Sequence, residues 1–174
     1  RMVFVSPRLP VLLIAATLWL AASPARAQAP VVLEESTASV RLGRHLAIRA
    51  DPKGKLTIAQ VSRPDAADQF KPSRWDVPNF GFTDTVYWLR VTLVNRASRD
   101  TLWLLEAAYP PLDRIELYEP LAGKPGRFTR RVLGDRRPFA EREVKHRHAI
   151  FRVTLPAGAT RTLYLRCQSE SSMQ

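Results

Sequence analysis

Cysteine is nearly absent: Cys167 is the only one in 174 residues. One thiol cannot close an internal disulfide, so the fold must rest on an apolar core rather than on covalent staples. Catalytic signatures are also missing. There is no G-x-S-x-G elbow, no H-E-x-x-H pair and no glycine-rich phosphate loop, and glycine itself is scarce at seven residues. The 16 acidic residues show no spacing that identifies a glycosidase carboxylate pair. Nothing implies a cofactor. Lysine is rare, 5 against 22 arginines, and past residue 22 no apolar run is long enough to span a bilayer. No internal repeat or low-complexity tract is present.

What is there begins with an export signal. Arg1 and Arg8 precede the apolar run Val11–Ala22, and Ala25-Arg26-Ala27 follows Pro24. This is the basic region, apolar region and A-x-A site of a secretory signal peptide over 1–27, with cleavage expected after Ala27 or, second, Ala29. The run is short for a spanning helix, and an uncleaved anchor is the alternative; both carry the chain out of the cytoplasm. The formal charge of +11 becomes +8 without the leader. The excess is spread along the chain, denser at 127–148, and reads first as a solvated surface. Export and the shortage of interleaved aromatics in that stretch argue against nucleic acid as a partner, leaving anionic head groups as the lesser reading.

Residues 28–41 read as a loose polar lead-in, and 42–174 as one domain. His45–Ile48 predicts a short strand, Asp51–Gly54 a turn, and Thr57 with Gln60 a capped short helix from 58 to about 63, closed by Pro64. A hairpin strand is the rival there. Residues 64–84 read as a loop anchored by Phe70, Trp75, Phe80 and Phe82. Beyond Thr85, alternation predicts strands at 86–94, 101–107, 113–119, 128–133, 149–155 and 162–168, separated by Gly/Pro turns. Ile115 and Leu117 face inward, and Arg114, Glu116 and Tyr118 outward. The charged 128–133 strand suits a sheet edge. The fold class is all-β: an antiparallel, jelly-roll-like sandwich.

Phe80-Gly81-Phe82-Thr83-Asp84-Thr85-Val86-Tyr87-Trp88-Leu89-Arg90 through Asn95, Leu105-Glu106, Leu112-Asp113-Arg114-Ile115-Glu116-Leu117-Tyr118, Gly134-Asp135, Pro138-Phe139, Leu155-Pro156, and Leu163-Tyr164-Leu165-Arg166 with Ser169 stand in a telling order. The set resembles the second type of periplasmic sensor domain of bacterial seven-transmembrane receptors with diverse intracellular signalling modules (7TM-DISM receptors). The resemblance covers about 42–173. It implies a sandwich similar to carbohydrate-binding modules, held outside the inner membrane. It also implies a small-molecule ligand such as a carbohydrate, and a cytoplasmic diguanylate cyclase or histidine kinase as output. Family members continue past the point matching Gln174 through a final strand into membrane helices, so the chain is expected to be a fragment, and a homodimer of the full receptor is compatible with that picture. A stand-alone periplasmic carbohydrate-binding module and a secreted glycosidase are the alternatives.

The ligand-contact candidates are Trp75, Trp88, Arg90, Asp113, Arg114 and Tyr118. Rings beside charged groups can stack on a sugar's C–H face while hydrogen-bonding its rim. Trp75 stands in a polar loop, and Tyr118 shares a face with Arg114 and Glu116. Arg90 alternates with Trp88 and Thr92 on an apolar strand; an ion pair with Asp113 or Glu106 is the favoured reading, a ligand contact the other. Tyr87, Trp103 and Tyr109 are further rings whose strand context favours the core. His146 and His148 would share a strand face, but no third ligand of metal-site spacing accompanies them, and Lys145 and Arg147 flank them. Cys167 reads as a small buried hydrophobe.

Overall fold

The centre of the molecule is β5 (Val86–Asn95), whose run VYWLRVTLVN buries both of its faces. The computed structural model describes residues 28–108, 112–170 and 172–173. The expected leader and Tyr109 lie outside them. In chain order the strands are β1 (Val31–Leu33), β2 (Ala47–Asp51), β3 (Lys71–Pro72), β4 (Gly81–Phe82), β5, β6 (Thr101–Ala107), β7 (Arg114–Pro120), β8 (Phe128–Leu133), β9 (Ala149–Leu155), β10 (Thr160–Gln168) and β11 (Ser172–Met173). The long strands fall where alternation predicts them.

Seven strands make one sheet in the order β3-β2-β5-β10-β7-β8, with β1 also on β5. β2 pairs with the first half of β5 and β1 with the second half, Val31 opposite Leu93. β6 and β9 pair antiparallel over the inner face, and β4 and β11 form a third short pair. This is the predicted sandwich, with two corrections. The lead-in is not loose: Val31 and Leu33 are buried and form a strand. That strand runs parallel to β5, so the sheet is not wholly antiparallel.

The main core lies between the sheets, where Val91, Leu93, Ile115, Leu117, Leu163 and Leu165 meet Phe151, Val153 and Leu155. Asn95 ties the layers together. Its Nδ2 donates to the carbonyls of Arg99, Leu155 and Pro156, each at 3.0 Å, and its Oδ1 accepts from the Ala97 N–H. With no solvent exposure, this amide satisfies groups that burial would otherwise leave without partners.

The other face of the large sheet is covered too, which alternation alone does not show. Asp51 accepts from the backbone N–H groups of Lys55 and Leu56 and pins the turn after β2. Helix α1 (Ile58–Val61) follows, carrying the predicted capping box between Thr57 and Gln60. Pro64 opens a 3-10 segment to Gln69 rather than a loop. This excursion lays Val61 and Phe70, with Leu56 and Ile58, over Ala47, Val86, Trp88, Tyr118 and Tyr164. Of the four expected loop anchors, Phe70 is buried and Phe80 stacks on Tyr87 at 3.9 Å. Trp75 and Phe82 are 69% and 88% exposed and anchor nothing in the core. β8 ends the sheet, as its charges suggest. Cys167 is buried, and burial pushes its thiol up to about 12.

Candidate functional site

Two rows of side chains cross the outer face of the large sheet. In the first, Arg49, Trp88, Arg166, Glu116 and Val132 are successive cross-strand partners on β2, β5, β10, β7 and β8. In the second, Ala47, Arg90, Tyr164, Tyr118 and Arg130 follow the same path. Strand pairing thus gathers residues that are scattered over more than 100 positions of sequence.

Glu116 is the hub. Its side chain is 3% exposed. Oε1 accepts from Arg114 Nε at 2.8 Å and Arg166 Nη1 at 3.2 Å; Oε2 accepts from Arg130 Nε at 2.6 Å and the Tyr118 hydroxyl at 2.7 Å. Burial alone would push this carboxyl up. The hydrogen bonds from Arg130, Tyr118 and Arg114 outweigh that and bring it down to about 2. Tyr118 shifts the other way, raised by burial and by donating to the carboxylate.

Charge and donors are both in surplus here. Three guanidiniums surround one carboxylate, and Arg114 and Arg130 remain nearly half exposed, with donors facing solvent. Next to them in the first row, Trp88 Nε1 and Arg49 Nη1 are buried with no acceptor among the described residues. Burying a donor without a partner is costly, and both of these are enclosed; the guanidiniums around Glu116 that solvent reaches most are Arg114 and Arg130.

Four of the six sequence candidates, Trp88, Arg90, Arg114 and Tyr118, share this face. Trp88 is fully buried, its ring 5.5 Å from that of Tyr118. Arg90 has neither of the ion-pair mates expected for it. Asp113 is taken by Arg136 at 3.3 Å and by the Glu170 N–H, Glu106 by His148, and the Arg90 guanidinium lies 4.7 Å over the Phe70 ring. A cation–π contact needs no acidic mate. Arg90 also acts on Tyr164, whose hydroxyl is raised by burial and drawn partly back by that arginine. The other two candidates lie elsewhere. Asp113 precedes β7 and binds the turn after β8 to the end of β10. Trp75 sits between β3 and β4, beside Asp76 and Val77, which line a cleft of about 1130 Å³ between the sheets. That cleft is walled mainly by apolar groups, among them Leu89, Trp103 and Leu105.

Sequence reasoning missed Arg49, Arg130, Tyr164 and Arg166 as members of the site. Each is on the correct face by alternation, but their meeting depends on the register of β10 between β5 and β7, which no local signal gives. The basic stretch at 127–148 resolves largely into internal pairs: Arg131 with Glu119 and Glu143, Arg136 with Asp113 and Glu170, and Arg137 with Glu141. That is how a solvated edge manages its charge.

Among the described residues no helix is long and apolar enough to cross a membrane. No curated protein matches the chain. Residues 43–174 match the 7TMR-DISM extracellular 2 family, a span that takes in every strand but β1 and every residue of the two rows. The chain therefore belongs to the 7TMR-DISM extracellular 2 family, receptor domains that lie outside the cytoplasm.

Proposed function

We propose that the chain is the ligand-sensing module of a bacterial membrane receptor, and that its ligand is a small, acceptor-rich molecule of the acidic-sugar class, taken on the outer sheet face around Arg114, Arg130 and Tyr118. The observation that carries this reading is the donor surplus: three arginines on one buried glutamate, two of them nearly half exposed. A carboxylate takes arginine donors in paired, charge-assisted bonds, and sugar hydroxyls add further acceptors. In the receptor the ligand would bias a two-state equilibrium by its differential affinity and control a cytoplasmic output such as a diguanylate cyclase or histidine kinase. Membrane attachment would come from receptor helices beyond the sensor domain. No catalysis is proposed.

Thermal shift and calorimetry with glucuronate, galacturonate, glucose and galactose test this at fixed pH and ionic strength. The uronates are expected to raise the melting temperature saturably, and Arg130→Ala and Arg114→Ala to weaken their binding about ten-fold or more. Absence of any saturable response to the uronates, or a response that both variants leave unchanged, overturns the reading. Turnover of a glycan by the chain would do the same.

A further inference from the structure

The antiparallel pairing of β6 with β9 sets Glu106 opposite Ile150, two residues past His148. That register brings Glu106 to His148, 42 positions later in sequence, and to His146 beside it. His148 Nδ1 lies 2.5 Å from Glu106 Oε1, and its ring is edge-on to that of His146, centroids 4.9 Å apart at 78°. One ligand atom from each of Glu106, His146 and His148 lies within 4.8 Å of the others. We propose that these three residues form a binding site for a divalent transition metal, Zn²⁺ being the ion their chemistry fits best.

Two imidazoles and a carboxylate, with no thiolate, match the three-ligand sets that hold zinc and leave one position for water or another donor. Bonds of about 2.0–2.2 Å put tetrahedral ligand atoms about 3.3 Å apart. From 2.5 Å the His148–Glu106 contact would open by about 0.8 Å, and from up to 4.8 Å the widest pair would close by about 1.5 Å, within the reach of side-chain rotation. The loop is already shaped for this. Arg142 donates to the carbonyls of His146 and Arg147, and the His148 N–H donates to His146 Nδ1 at 3.2 Å. Of the two cations that flank the histidines, Lys145 is turned back to the carbonyl of Ala140 at 2.6 Å, and Arg147 is exposed, with its carbonyl held by Arg142. Glu106 also lines the inter-sheet cleft. A metal here would bind β6 to the connection that leads into β9 and sit at the rim of that opening. The site shares no residue with the arginine-rich face, so each stands or falls alone.

The test is a calorimetric titration of the chain with Zn²⁺, paired with melting curves in Zn²⁺ and in EDTA. One saturable site per chain is expected, with a melting temperature raised by the metal. His146→Ala, His148→Ala and Glu106→Gln should each weaken binding about ten-fold or more, with far-ultraviolet circular dichroism unchanged. His45→Ala, which alters the chain's remaining histidine, should leave binding intact. Substituted Co²⁺ should show the visible absorption of a low-symmetry nitrogen and oxygen site. No saturable binding, binding indifferent to all three variants, or binding lost with His45→Ala overturns the proposal.

Discussion

Neutralising Glu116 removes the carboxylate that three guanidiniums share, and its cost can be worked from the structure. A carboxyl held at about 2 in the fold against 4.5 when unperturbed contributes about 3 kcal/mol at neutral pH, at 1.36 kcal/mol per tenfold change. Two of its three arginine partners are nearly half exposed, and solvent screening brings the expectation to about 2–3 kcal/mol. The sign follows from the direction. The folded-state value is depressed, so the contribution is fully present above about pH 4.5 and is lost as pH falls towards 2. Urea unfolding of the wild type and Glu116→Gln from pH 7 down to about pH 2.5 measures it. Glu116→Gln should be less stable by about 2–3 kcal/mol at pH 7, and the gap should close as the wild-type carboxyl takes up its proton. A gap that stays constant across that range, or no gap at pH 7, refutes the electrostatic account of this hub.

Asn95→Ala should cost about 3 kcal/mol in denaturant unfolding, since it strips hydrogen bonds from three carbonyls and one N–H at a fully buried position. A loss under 1 kcal/mol would mean that water or a backbone shift replaces the amide. Gly134→Ala should destabilise by about 2 kcal/mol or more: at φ +148° a methyl there would lie 2.2 Å from the Asp113 carbonyl oxygen. Gly158→Ala, at φ +67° with open space around it, is the comparison and should cost about 1 kcal/mol.

Much of the architecture was legible because strands write their faces into sequence with a period of two. Tyr87, Leu89, Val91 and Leu93 announced the inner face of β5, and Phe151, Val153 and Leu155 that of β9. β1 was not legible. Three apolar residues in a polar segment give no period, and the parallel partner that makes Val31–Leu33 a strand lies about 60 residues away. The covering of the outer face was hidden for a related reason. Tyr118 and Trp88 alternate as outward residues, and the path of 56–70 back across the sheet, with Phe128, buries them. Candidate-site residues divided along the same line. Arg90 was visible as an unusual charge on an apolar strand, but its partner was sought among acids while the fold supplied the Phe70 ring. His146 and His148 were visible as a pair, whereas Glu106 joins them through a register set by pairing over a long loop.

The three tryptophans of the described chain occupy three different surroundings: Trp75 is 69% exposed, Trp88 is wholly enclosed, and Trp103 is half-covered at the wall of the cleft. Indole emission shifts to the red with contact with water, so the native domain carries three optical reporters of distinct colour. Loss of the cover over the outer face would move the Trp88 component to the red, and a change at the cleft wall would act on Trp103. Trp75, the most exposed of the three, emits furthest to the red.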